Sequence, residues 1–244
     1  QTGQPWNFIH VDNTAAPGGD GTAEAPFTNL ADAETAAQQE WDIVYVHTGS
    51  STTQPNFYGD EFAFRANNQF LVGASGPLTI EVGSQCGTFD AASGAYLYTI
   101  APQTPGPNPL LSNPGGTSIN TNGQGGVTIA YIDTQGSADA LVVTGNLEGT
   151  AQPWGTTANL YNSPISQAGG SSVRSSTFSS DRTAALQRGV TIRGTSVTTA
   201  TSGIEFTDTT IDGMTRASML IQDNNVTTNV TYDGVINSDL AGSA

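Results

Sequence analysis

Short apolar runs separated by turn residues fill most of this chain, and they alternate too quickly for helices. Runs of three to six residues recur at Phe8–Val11, Phe62–Phe64, Phe70–Val72, Leu78–Val82 and Tyr96–Ile100. Later ones are Val127–Ile132, Ala140–Val143, Val190–Arg193, Gly203–Phe206, Met219–Ile221 and Tyr232–Ile236. Their β-branched and aromatic content, with Gly, Asn, Asp and Pro between them, predicts strands. One segment predicts a helix, Leu30–Gln39, rich in Ala, Glu and Gln. Asn29 is placed to cap it, and Asp32 suits both a reciprocal capping contact and the helix dipole. Leu30, Ala33 and Ala37 fall on one face, so the helix can lie against a core. Ile43–Val46 follows it as a strand.

The strands carry a weak internal repeat. Gly126–Ala130 resembles Gly189–Arg193, and Gly203–Asp208 resembles Ser218–Asp223. Coils of about 20–25 residues fit this rhythm. One such coil cannot bury its inward side chains alone, but stacked coils share a core and satisfy each other's backbone groups. The pattern loosens over 101–126, with five prolines, and again over 149–180. Both stretches are expected to be loops that leave the stack.

Composition sharpens this picture. Only 11% of the 244 residues are charged, which suits stacked strands, because like charges would pile up at the strand spacing. Six Arg face 21 acids, there is no Lys, and the formal charge is −15. Nucleic acid and anionic membrane surfaces are therefore poor partners, and Lys–Asn cross-links are excluded. Cys86 is the only cysteine, so no disulfide within the chain and no zinc or iron–sulfur cysteine set is available. Its plain role is that of a small buried hydrophobe. No apolar run reaches the ~18 residues that span a bilayer, so direct membrane insertion is not expected. The start at Gln1 and the end at Asp239–Ala244 read as those of a mature product or of a fragment whose coils continue further.

The first 75 residues resemble a known signature. Pro5–Asn13, Gly19–Thr22, Ala25–Phe27, Leu30–Ala33 and Asp42–Val46 match its order: opening strand, Gly-Asp-Gly-Thr turn, Pro-Phe step, capping helix, strand. The chain resembles pectin-lyase-like right-handed parallel β-helix proteins. It is most similar to β-helix regions of large surface proteins from planctomycete- and chlamydia-like bacteria, some of which resemble inverse-autotransporter passengers. Arg65–Gly73, Asn113–Gly116 and Gly126–Ala130 also look like that group. Trp41 stands where the family has Gly. The resemblance implies an all-β fold, a right-handed parallel β-helix with a short N-terminal capping helix. A single domain over 1–244 would divide into cap and first coil (1–50), early coils with loops (51–126) and later coils (127–244).

Candidate chemistry is sparse. Asp12 and Asp20 could hold calcium through oxygen ligands, or simply make turns. Asp60 with Glu61, Asp208 with Asp212, and Glu205 are the carboxylate groupings a glycosidase would need, or solvated turn residues. Along a strand, Asp60 and Glu61 point to opposite faces, while Asp208 and Asp212 are expected on neighbouring turns. A lyase needs a basic group, for which Arg174, Arg182, Arg188, Arg193 and Arg216 are available, with Arg188 and Arg193 set to cluster across a turn. His10 and His47, on the first two strands, could stack and bind a metal or only hydrogen-bond. Trp6 and Trp41 are expected to plug the end of the stack, and Trp154 with Tyr161 could meet a glycan. Asn225 and Asn229 begin Asn-Val-Thr sequons, or serve as ladder residues.

No catalytic, cofactor-binding or metal-ligating set is assigned, and enzyme activity stays open without support. The expected function is a non-enzymatic extracellular or outer-membrane cell-surface module, structural or adhesive. Its expected partners are copies of itself, a larger parent polypeptide or surface glycans. The alternative is a carbohydrate-active or carbohydrate-binding β-helix. Self-assembly through open strand edges is a third possibility.

Overall fold

The computed structural model describes residues 7–49, 57–82, 88–90, 95–101, 104, 106–146, 171–180, 187–196, 203–222 and 229–237. It is all-β apart from one short helix, and the long sheets are parallel.

The chain makes repeated rounds. It begins with β1 (Phe8–Val11) and α1 (Leu30–Ala36). The next round is β2 (Ile43–Val46), β3 (Phe57–Tyr58) and β4 (Phe62–Ala63). The third starts at β5 (Phe70–Gly73), departs into β6 (Leu78–Val82), β7 (Thr88–Asp90) and β8 (Ala95–Ala101), then returns as β9 (Leu110–Leu111) and β10 (Thr117–Asn120). The fourth is β11 (Thr128–Ala130), β12 (Asp133–Gln135) and β13 (Asp139–Asn146), and the fifth β14 (Ser171–Arg174), β15 (Thr177–Ser179) and β16 (Arg188–Ser196). The sixth is β17 (Gly203–Asp212) and β18 (Met219–Gln222), followed by β19 (Asn229–Asn237).

From the second round to the fifth, each round adds one strand to each of three parallel ladders. Ladder one runs β1-β2-β5-β11-β14-β17, ladder two β4-β10-β13-β16-β18, and ladder three β3-β9-β12-β15-β17. The long β17 belongs to ladders one and three at once, and β19 pairs along its whole length. Registers align the apolar residues into columns. Ile9, Val44, Leu71, Ile129, Val173, Phe206 and Tyr232 form one. Tyr58, Leu111, Thr134, Phe178, Ile211 and Ile236 form another, and Phe62, Ile119, Leu141, Val190 and Met219 a third. Apart from their last members, exposed Ile236 and half-buried Tyr232 and Met219, these columns are buried together, so one core runs along the three ladders. No charged residue stands in a column, as stacking at about 4.8 Å requires.

The rounds are longer and less even than the repeat suggests. Phe206 to Tyr232 spans 26 residues and Leu71 to Ile129 spans 58. The repeated motifs are not equivalent positions either: Gly126–Ala130 leads into ladder one and Gly189–Arg193 into ladder two, and the same holds for Gly203–Asp208 and Ser218–Asp223. The similarity reflects what any inward-facing parallel strand demands, not a place within the round. The expected loop at 101–126 contains two ladder strands, β9 and β10. The excursion is instead the antiparallel sheet β6-β8-β7. Of the second loose stretch, 171–180 forms β14 and β15, and 147–170 lies outside the described residues.

Corners between ladders one and three are made alike. Tyr131, Ser175 and Asp208 take positive φ (56°, 42° and 50°) in successive rounds. The backbone N–H of Tyr131 donates to Arg174 and that of Ser175 to Thr207. The residues after them, Ile132, Ser176 and Thr209, turn inward and are buried.

At the first round, α1 covers the core with Leu30, Ala33 and Ala37. Asn29 caps it as expected: its side chain accepts from the Asp32 N–H at 2.8 Å and donates to the Asp32 carboxylate at 2.8 Å. The helix ends at Ala36, short of Gln39. Beyond it, Gln69 is buried and fully bonded. Its oxygen accepts from Arg65 and Ala66, and its amide donates to Ala37 and Gln39. Glu34 also ties the helix to the second round, accepting from the Ala63 N–H and pairing with Arg65. The edge of β1 is closed by the 20–27 turn, through His10 N–H to Gly21 and Phe27 N–H to His10. At the far end, Ile221, Val235 and Ile236 are 50%, 52% and 46% exposed on β18 and β19.

Trp41 does not plug the end of the core. It is 9% exposed on the outer face of ladder one, in a second apolar cluster with Ile43, Tyr45, Phe70, Val72, Ala74, Leu78 and Ala130. Its φ of 72° is the conformation glycine favours, so Trp keeps the backbone turn and adds a covering ring. Trp6 lies outside the described residues.

Candidate functional site

A group of titratable side chains sits on the outer face of β1 and β2. Strand alternation puts Phe8, His10 and Asp12 outward on one strand and Ile43, Tyr45 and His47 on the next. His10 pairs in register with Tyr45. His47 lies one outward position further along, diagonal to His10 and within reach. His10 Nδ1 is 3.2 Å from His47 Nε2. The Tyr45 ring meets both imidazoles edge-on, with centroids 5.5 Å and 5.4 Å away. Tyr58 donates its hydroxyl proton to the His47 carbonyl at 2.8 Å and accepts from the Asn13 N–H at 3.3 Å. Burial lowers the pKa of His10 below its ordinary value, the His47 charge lowers it further, and Glu24 opposes both. Burial also lowers His47, against the pull of Asp12. Both effects favour neutral rings.

The two turn aspartates do local work. The Asp12 carboxylate accepts from the N–H and hydroxyl of Thr14, at 2.9 Å and 2.7 Å. Asp20 does the same for Thr22, at 3.1 Å and 2.7 Å, and those bonds lower its pKa. Each bond set makes an Asx-type turn. Among the described residues, no group of three or more His, Cys, Asp or Glu lies close enough to hold a metal.

The expected carboxylate groupings are rearranged. Asp208 and Asp212 both fall within β17, Asp208 at the corner between ladders one and three and Asp212 at the strand's end. Asp60 is exposed, and Glu61 accepts from the Asn120 amide at 2.9 Å. β3, just before Asp60, and β17, which carries Asp208 and Asp212, are four ladder steps apart, about 19 Å. That separation keeps Asp60 and Glu61 from acting with the β17 acids in glycoside hydrolysis, which needs about 5–9.5 Å. Glu205 faces outward next to Ser172 and Thr231 in register.

Among the described arginines, Arg188 and Arg193 do not cluster as expected. Arg188 and Arg193 sit on the same strand, β16, five residues apart and hence on opposite faces, not across a turn. Arg188 is 3.3 Å from Asp139. Arg193 and Arg216 are exposed. Arg174 stands in register with Ala130 and Thr207. Arg182, Trp154, Tyr161, Cys86 and Asn225 lie outside the described residues, and Asn229 opens β19.

Sequence reasoning missed Asp133. The carboxylate accepts from the Asn108 amide at 2.8 Å and the Thr177 N–H at 2.7 Å. Burial raises its pKa above the ordinary carboxylate value, and those bonds oppose the rise. Asn108 also donates to the Ser175 carbonyl, and the Ser175 hydroxyl donates to Asp208. Asp133 and Asp208 are thus linked across two rounds, about 9.6 Å of stacking. No motif announces the link, because Asn108, Asp133, Ser175 and Asp208 come from four different rounds.

No protein-family model, curated protein or solved structure matches this chain.

Proposed function

We propose that the chain is a right-handed parallel β-helix serving as a structural or adhesive module at a bacterial cell surface or outside the cell, without catalytic activity. The observation that carries this reading is the cyclic visit to three in-register parallel ladders around one apolar core. Crossovers between parallel strands of one sheet are right-handed in about 98% of cases. Such a stack is a stiff rod whose length grows with each round. The Lys-free, acidic composition supports an extracellular setting and argues against nucleic-acid partners. The likeness of residues 5–75 to surface β-helix proteins supports the same placement. Other copies of the chain, a longer parent polypeptide and neutral surface glycans are the partners that fit.

A second reading, a carbohydrate-active β-helix, draws on Asp133 and Asp208. A carboxyl whose pKa burial raises, linked to a second about two rounds away, is the pairing an inverting glycosidase uses. Incubation with polygalacturonate, alginate and neutral glycans, with and without calcium, separates the two. The structural reading expects binding at most and no release of reducing ends or unsaturated products. Turnover that disappears in both Asp133→Asn and Asp208→Asn would replace it with the enzymatic one.

A further inference from the structure

We propose that His10 and His47 form a two-imidazole site for a divalent cation of the zinc, copper and nickel class. The geometry comes first. Two nitrogens bound to one tetrahedral ion at 2.0–2.1 Å lie about 3.3 Å from each other. His10 Nδ1 and His47 Nε2 already face each other at 3.2 Å. An ion entering between them needs only a small opening of the pair.

The site is held by groups that do not depend on the ion. Backbone pairing of β1 with β2 sets the register of both histidines. The Tyr45 ring packs against each imidazole, and the Tyr58 hydroxyl holds the His47 carbonyl. Ligands on rigid strands lose little freedom on binding. Both side chains are partly exposed, so an ion and its waters can reach them. Asp12 and Glu24 place negative charge beside His47 and His10, and the whole chain carries −15.

The proton balance also closes. In the ion-free pair one ring N–H donates to the other ring's lone pair. Binding requires both facing nitrogens bare, so the shared proton moves to the far nitrogen of its own ring: His10 keeps Nε2–H and His47 keeps Nδ1–H. Two neutral imidazoles then ligate without net proton release, and water completes the coordination. Imidazole nitrogen suits Zn2+, Cu2+ and Ni2+, whereas Ca2+ and Mg2+ require oxygen ligands.

The test is isothermal titration of the tag-free chain with ZnCl2, CuCl2 and NiCl2, with CaCl2 and MgCl2 as controls, alongside thermal unfolding. The expected result is one site per chain for the first three ions. Tm should rise by about 3 °C or more once the free ion exceeds Kd tenfold. His10→Gln and His47→Gln should each abolish the effect, and Cys86→Ser should keep it. Absence of binding would overturn the proposal. So would binding that survives both histidine variants or vanishes with Cys86→Ser. If a histidine variant fails to fold, 15N spectra of the wild-type imidazoles decide. Zinc must shift His10 Nδ1 and His47 Nε2 selectively, and unmoved resonances would overturn the assignment.

Discussion

Trp41 shows how one residue can serve two opposed demands. Its backbone takes the left-handed conformation, which costs a non-glycine residue about 1–2 kcal/mol. Its ring covers Phe70 and the outer face of β2 and β5. Trp41→Ala should therefore lose about 3–5 kcal/mol in urea unfolding. Trp41→Gly should lose about 1 kcal/mol less than the alanine variant, since glycine accepts the angle freely. Equal losses would mean that the turn relaxes when the ring is removed. Thr134 presents the opposite case, a polar group with no return. It stands fully buried in the ladder-three column between Leu111 and Phe178. Its hydroxyl has no hydrogen-bond partner among the described residues. Thr134→Val keeps the shape and removes the desolvated group. It should stabilise the fold by about 1 kcal/mol, a Tm rise of about 2–4 °C. An unchanged or lower Tm would show that the hydroxyl is satisfied after all.

At the scale of elements, the pairing of β1 with β2 makes stability depend on pH. His10 and His47 have folded pKa values below the ordinary 6.5, because burial outweighs the attraction of Glu24 and Asp12. As pH falls through 6.5 the unfolded chain takes up protons before the folded one does. The contribution of the pair is therefore complete above about pH 6.5 and is lost progressively below it. With a chelator present, Tm should hold steady from pH 8 to 7 and drop toward pH 5.5. The drop should flatten when both residues are changed to Gln, and an unaltered slope would rule the pair out as its source. The elements themselves were legible to differing degrees. The Asn29 cap and the strands from Phe8, Ile43, Phe70 and Met219 follow from residues within a few positions of one another. The helix end was not legible, because Gln69, some thirty residues away, supplies partners to the Ala37 and Gln39 carbonyls. The juxtaposition of His10 and His47 was half legible. Their places on adjacent strands could be read, but the diagonal contact depends on register.

For the whole molecule, the sparse charge and narrow apolar content fit a core built of columns, where each inward position repeats round after round. A net charge of −15 is borne because acids such as Asp12, Asp20 and Glu61 accept hydrogen bonds near the surface, and the buried Asp42 and half-buried Asp133 accept hydrogen bonds of their own. By itself the sequence determined the strand-rich class, the parallel stacking logic, the capping helix and the turns at Asp12 and Asp20. These rest on short-range chemistry: alternation, caps and Asx bonds. Only the tertiary structure decided which ladder each strand joins, that β6, β7 and β8 leave the stack while β9 and β10 stay in it, and that Asp133 is linked to Asp208. Similar strands fit any of three parallel ladders equally well in local terms. Their assignment is made by closure of the chain around the shared core, and rounds of 26 to 58 residues leave no fixed spacing from which to read it.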